Sequence, residues 1–233
     1  MNDTDTLSAA ERDAVYRCIF ARRDIRGQFL PDPVDEAVLA RVLRAAHHAP
    51  SVGFMQPWDF LVIRDEGVRR RVHAAFTDAS AEAAEMFEDE RRRQYQRLKL
   101  EGILDAPLNI CVTCDRSRMG PVVLGRTHQP DMDLFSAVCA VQNLWLAARA
   151  ENLGVGWVSI IDPARLRAVL GIPPAIEIVA YLCVGTVSHF PERPELETAG
   201  WQSRLDLSQR VWFDGWNKRT GDESLTAHID TSR

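Results

Sequence analysis

Within five residues, Arg22-Arg23-Asp24-Ile25-Arg26 sets three guanidiniums around one carboxylate. Guanidinium forks hold several donors in fixed geometry, which suits phosphate groups and planar acceptors. A second block, Ala49-Pro50-Ser51-Val52-Gly53-Phe54-Met55-Gln56-Pro57-Trp58, joins a proline and a glycine to a hydroxyl and a side-chain amide. Such a loop can bring backbone N–H groups and an amide close to a flat polar ligand. The residues alone admit a plainer reading, in which Asp24 pairs with its arginines and Ser51 closes a turn. A third candidate, Ser159, follows Gly156-Trp157-Val158. Cys111-x-x-Cys114 could suggest redox or metal chemistry. On a strand, however, residues three apart point to opposite faces, and no second Cys pair or spaced His pair completes a zinc site. The five cysteines read as reduced thiols in apolar segments, and no metal is assigned.

These residues need elements to hold them. Ser8-Ala9-Ala10-Glu11 has the form of a capping box and predicts a helix through about Ala21, with Val15, Ile19 and Phe20 as its buried face. Asp32 with Pro33 predicts the start of a second helix, in which Val34, Val38, Leu39, Val42, Leu43 and Ala46 recur at helical spacing. His47 and His48 close that helix as structural residues. A strand over Trp58–Ile63 then leads out of the second loop. Residues 65–101 read as charged helix, either a solvated face or, over Arg91–Lys99, a lid. Leu108–Cys114 is a strand, and 115–130 is a long loop of the kind that often serves function. The helix 131–152 is apolar nearly all round and needs burial on every side, within the chain or against a partner. Gly154 predicts its stop. Val155–Ile161 reads as a strand, Asp162-Pro163 opens a short helix to Leu170, and Ala175–Val187 is a further apolar strand. Beyond Ser188, Trp201, Leu205, Leu207, Trp212, Phe213 and Trp216 carry too much apolar area for a free tail.

The balance of 28 basic and 33 acidic residues, a formal charge of −5, argues against general nucleic-acid binding. With 46% hydrophobic and 26% charged residues, the composition is that of an ordinary globular protein. The N-terminus lacks a basic and then apolar leader, and no uncharged run is long enough to span a bilayer, so a cytoplasmic protein is expected. One domain is expected over 8–216, with disordered ends at 1–7 and 217–233. Gly154-x-Gly156 precedes a strand rather than opening a helix, which is the wrong setting for a dinucleotide fingerprint.

Taken together, Arg22-Arg23-x-x-Arg26 followed by Ala49-Pro50-Ser51-x-x-x-x-Gln56-Pro57-Trp58 resembles the nitroreductase superfamily of FMN proteins. The resemblance extends to Gly154-Val155-Gly156-Trp157 and Gly185. It implies an α+β fold with a mixed sheet of four to five strands flanked by helices. It also implies a homodimer with FMN at each subunit interface and a C-terminal tail reaching the partner. On that pattern Arg22, Arg23 and Arg26 engage FMN phosphate and ring oxygens, with Ile25 and Gln56 also cofactor-binding. Pro50, Ser51 and Gly53 line the opposite side, Arg193 adds a phosphate contact, and Val158 and Ser159 lie over the ring. Ordinary members carry a serine or threonine where this chain has Asp24. An acid there, with Ser159, resembles a branch that consumes reduced FMN with O2. That implies Asp24 as general acid/base, Ser159 as a positioning hydroxyl, and a separate flavin reductase supplying FMNH2. The alternatives are an NAD(P)H-dependent FMN nitroreductase or flavin reductase, a dehalogenase variant of these, and a flavin-storing or flavin-sensing protein.

Overall fold

The computed structural model describes residues 6–219 and 223–231; residues 1–5, 220–222 and 232–233, all within ends expected to be disordered, lie outside the described residues. Residues up to Pro194 and from Glu195 onward form two compact units. The first carries α1 (Ala9–Ala21), α2 (Glu36–His47), β1 (Trp58–Ile63), α3 (Glu66–Glu85), α4 (Asp89–Gln96), β2 (Leu108–Asp115), α5 (Met132–Ala150), β3 (Gly154–Trp157), α6 (Pro163–Leu170) and β4 (Ile176–Gly185). The second carries α7 (Glu195–Thr198), a 3-10 turn at Ser208–Arg210 and α8 (Glu223–Thr231), the last within the stretch expected to be disordered. There Trp212 and Trp216 pack at 5.8 Å between ring centroids, and Arg219 lies over Trp212.

The sheet has four strands in the order β1-β2-β4-β3. Where the resemblance implied a mixed sheet, all three ladders are antiparallel, and the parallel component is an isolated bridge between Asp24 and Val155. Side chains alternate between the faces of a strand, and both faces are covered. Leu108, Ile110, Val112 and Cys114 of β2 join Leu39, Val42 and Ala46 of α2 and Ala137, Val141 and Leu144 of α5 in one core. Cys111 instead joins Tyr181 and Cys183 of β4 with Val72, Ala75 and Phe76 of α3 in the other. Cys111 and Cys114 therefore face opposite layers, as their spacing requires. Burial pushes both thiols up to about 12, with the Asp133 charge adding to the rise at Cys114.

Several local expectations are met in detail. The Ser8–Glu11 capping box forms in both directions. Asp162 accepts the amide of Arg165 behind Pro163, and Gly171 closes α6 in the left-handed region. Others shift. The N-cap of α2 is Asp35, not Asp32: its carboxylate accepts the amides of Ala37 and Val38, while Val34 is buried ahead of it. The turn after α5 is made by Asn152 at φ 59°, which frees Gly154 to enter β3. The strand predicted to Ile161 ends at Trp157, where pairing with Leu182 stops.

The face of α1 expected to be buried is open: Val15, Ile19 and Phe20 are 51%, 39% and 71% exposed, and α1 packs on α5 rather than on the sheet. On α5, the burial expected on every side is met on one face, while Phe135, Val138 and Cys139 stay exposed. Among the described residues, no helix is long and apolar enough to cross a membrane, and no group of three or more His, Cys, Asp or Glu is placed to hold a metal ion.

Candidate active site

α1 ends at Ala21 and the chain turns extended at Arg22. Ile25 is fully buried, and its amide donates to the carbonyl of Val155 at 3.0 Å, which lays the 24–26 segment along β3. The approach is so close that a Cβ on Gly156 would stand 2.0 Å from the carbonyl oxygen of Ile25. Only glycine lets the two backbones meet there. On the other side of the same segment, a Cβ on Gly102 would stand 2.7 Å from the carbonyl oxygen of Arg26 and from the Phe29 ring. Bare backbone thus flanks this segment on both sides.

That seating fixes Asp24. Its Oδ1 accepts the Trp157 amide at 3.0 Å, and its Oδ2 accepts the Arg26 guanidinium at 2.6 Å. The carboxylate is 31% exposed and the Arg26 side chain 12%. Arg23 donates to the carbonyls of Phe20, Arg22 and Glu192, and Arg22 lies over the ring of Trp145, 4.7 Å from its centroid. The Trp145 indole N–H in turn donates to the Arg23 carbonyl at 3.3 Å. The Nε atoms of both Arg23 and Arg26 are buried without a hydrogen-bond partner. A buried cationic donor left unmatched is costly unless something completes it. A phosphate, or a planar ring with acceptors on its edge such as a flavin, has the chemistry to do so. Val158 is buried, its amide donating to the Tyr181 carbonyl at 2.9 Å. Ser159 is exposed beyond the end of β3, on a cavity of about 130 Å³ shared with Trp157, Ile161 and Tyr181. Arg193 is exposed, one residue on from the carbonyl that holds Arg23.

The second loop is built around a 3-10 turn at Val52–Phe54. Gly53, Phe54 and Gln56 all have positive φ, at 53°, 56° and 47°. Ser51 accepts the Gln56 amide through its hydroxyl at 3.1 Å, so the turn reading of Ser51 holds locally. The Val52 amide donates to the Ser136 hydroxyl of α5 at 3.0 Å. Pro50 and Gly53 are exposed and Gln56 is half-buried. This loop meets α5 at Ser136, whereas the first block meets it at Trp145; nine residues along a helix is about 13 Å. The structure therefore brings Arg22, Arg23, Asp24, Ile25 and Arg26 together along β3, with Val158 just past its end; Ser159 faces a cavity that Asp24 and the three arginines do not line, and Pro50, Ser51, Gly53 and Gln56 stand at a separate place.

Two groups of ionic residues went unread in the sequence. Asp133 is fully buried and accepts from Arg126 at 2.9 Å, Arg116 at 3.2 Å and the Leu134 amide at 2.7 Å. Glu101, also buried, accepts Lys99 at 2.7 Å and the Ile103 amide at 2.6 Å, while Lys99 also binds Asp105. Burial opposes the Lys99 charge, but the bonds to Asp105 and Glu101 outweigh it and hold its pKa above the ordinary value. Lys99 packs beside Gly27, the residue that follows the first block. The partners of Asp133 come from a loop with no periodicity, and nothing in its spacing marks them.

Residues 19–186 match the Nitroreductase family. The chain belongs to that family. Its members are oxidoreductases, the class expected from the sequence. Among curated proteins it is similar to 5,6-dimethylbenzimidazole synthase of Rhodospirillum rubrum, 45% identical over 194 residues, covering 83% of this chain and 91% of that protein. The protein of the same name from Rhodobacter capsulatus is 41% identical, covering 83% and 93%. Among solved structures, oxidized iodotyrosine deiodinase bound to FMN and 3-iodo-L-tyrosine superposes with a TM-score of 0.65 at 21% identity, covering 77% of this chain and 94% of that one. A nitroreductase-like family protein from Bacillus cereus gives 0.60 at 22% identity, covering 90% and 98%. These likenesses give the fold.

Proposed function

We propose that this chain fragments reduced FMN in an oxygen-dependent reaction, releasing 5,6-dimethylbenzimidazole, the lower ligand of cobalamin, and erythrose 4-phosphate, with the pyrimidine part of the flavin ring leaving as a third fragment. The observation that carries the reading is Asp24. Its carboxylate is held between an arginine and a backbone amide, yet remains partly open beside two buried, unmatched arginine donors. The similarity to two synthases above 40% identity supports it.

Reduced flavin supplies the electrons that O2 takes up. Arg23 and Arg26 offer their Nε donors to its acceptors, and Arg193 adds a cation to the phosphate side. Arg22, already aligned over Trp145, adds a further guanidinium. Asp24 moves protons at its open oxygen edge, Oδ1 staying anchored to Trp157 so that the group cannot swing away. Ser159, two residues past the Trp157 amide that holds Asp24, offers an exposed hydroxyl to orient a polar atom of the flavin. Buried Ile25 and Val158 exclude water beneath.

The two loops work together across a homodimer. Pro50, Ser51, Gly53 and Gln56 address the flavin of the partner subunit, which accounts for their distance from Asp24 within one chain. The open apolar faces of α1 and α5 are where that partner packs, and the aromatic C-terminal tail reaches across to it. The protein works in the cytoplasm with FMNH2 delivered by a separate reductase.

The test is aerobic incubation with FMNH2 followed by mass spectrometry, for the wild-type protein and Asp24→Asn. Benzimidazole from the wild type alone is the expected result. Equal product from the variant would sink the role given to Asp24. Brisk NAD(P)H oxidation with a nitroaromatic and no benzimidazole would favour an ordinary nitroreductase instead.

A further inference from the structure

The loop between β2 and α5 grips the 50–56 loop from one side. The Arg118 guanidinium reaches across about sixty residues of sequence to donate to the carbonyl of Gln56 at 2.7 Å and of Trp58 at 3.0 Å, with its other nitrogen on Asp59 at 2.6 Å. Asp115, 3.9 Å away, is the remaining charge against it. A Cβ on Gly53 would stand 2.7 Å from the Val123 side chain and 2.9 Å from the Leu124 carbonyl oxygen. Arg126, locked on Asp133, touches the sulfur of buried Met55 at 4.0 Å. Three of the four residues 53–56 sit at positive φ, two of them not glycine. At the two non-glycine positions such backbone is uphill and persists only where its surroundings over-determine it.

We propose that Arg118 is a positioning residue for the flavin-facing loop. By holding the Gln56 and Trp58 carbonyls it keeps Gln56 in its left-handed conformation and so aims the Ser51–Gln56 face at the ligand. Asp133 with Arg116 and Arg126 braces the loop that carries Arg118. This inference rests on the reading that residues 50–56 address reduced flavin. Asp24 is untouched by it, so the effect falls on binding and not on proton transfer.

The experiment compares wild type, Arg118→Met and Arg118→Lys for turnover of FMNH2, and pairs Arg118→Met with Gln56→Ala in a double-mutant cycle. Arg118→Met is expected to raise the KM for reduced flavin about tenfold, the size of one charge-assisted hydrogen bond, with kcat held within about twofold. Lysine restores part of the loss. In the cycle the two changes are less than additive, because both act through one loop. A KM that stays within about twofold of wild type, or full additivity in the cycle, overturns the proposal. Amide exchange at Val52, Phe54, Met55 and Gln56 is followed in parallel and needs no flavin. Faster exchange in Arg118→Met is expected, and unchanged exchange overturns the clamp. A wild-type protein that ignores reduced flavin would sink the functional reading, and exchange alone would then decide whether Arg118 holds the loop.

Discussion

Two carboxylates of this protein are each bound by arginine, in opposite settings. Asp133 is fully buried and saturated: two guanidiniums and an amide use both oxygens. Asp24 is 31% exposed, takes one guanidinium and one amide, and sits beside buried Nε donors that no described residue completes. The residue types are the same. What separates the two sites is saturation: three donors occupy both oxygens of the first, and the second keeps an open edge beside unmatched donors, as the proposed role of Asp24 requires.

The largest effects should divide along that line. Asp24→Asn is expected to lower the rate of flavin consumption by about a hundred- to ten-thousandfold, the usual contribution of a general acid/base. Its stability cost is about 1 kcal/mol or less, since the pair it breaks is partly exposed. Asp133→Asn should do the reverse, costing about 3–5 kcal/mol by leaving two guanidiniums uncompensated around a dry site. Denaturant midpoints and product yields measured on both variants check this. If Asp24→Asn unfolds the protein and Asp133→Asn is mild, the contrast is wrong.

Gly156→Ala comes next. The new methyl would meet the Ile25 backbone, and overpacking of this kind costs about 1–3 kcal/mol; product yield should fall with stability, because Asp24 hangs from the same contact. Thiol chemistry gives a smaller readout. With their pKa values pushed up to about 12 by burial, Cys111 and Cys114 should resist iodoacetamide near neutral pH in the native protein and react after unfolding. Mass spectrometry of digests reads the sites.

The smallest expected effect lies far from either carboxylate pair. Hydrogen bonds from the Ser8 hydroxyl, and then its amide, hold the Glu11 carboxyl below its ordinary pKa. A depressed folded pKa means that this bond's contribution is complete above the unfolded value and lost as pH falls through the folded one. Glu11→Gln should therefore flatten the acid limb of the stability curve slightly while leaving turnover unchanged.

Much of the first block was legible because its chemistry is contiguous: five adjacent residues carry the acid and its cations. The capping box of α1 and the Asp162-Pro163 start of α6 were legible for the same local reason. The start of α2 was misplaced by three residues because Asp32-Pro33 and Asp35 offer equally good caps, and the burial of Val34 decides between them. Asn152 took the left-handed turn expected of Gly154 because the glycine was needed inside the sheet. Ser159 fell outside its strand because the partner strand stops matching at Leu182. Arg116, Arg118, Arg126 and Asp133 could not be read at all: their meetings are made by the fold, with partners 7 to 62 residues away along the chain.

The glycines at 102 and 156 act as a gauge one methyl group wide on either flank of the Asp24–Arg26 strand segment. Drift at either position cannot be absorbed by a change of rotamer alone, since a main-chain carbonyl oxygen stands among the obstacles at both. A descendant that lost one of them would have to carry the acid outward as a unit with its arginine. It would forfeit the alignment with Trp157 before it lost the fold.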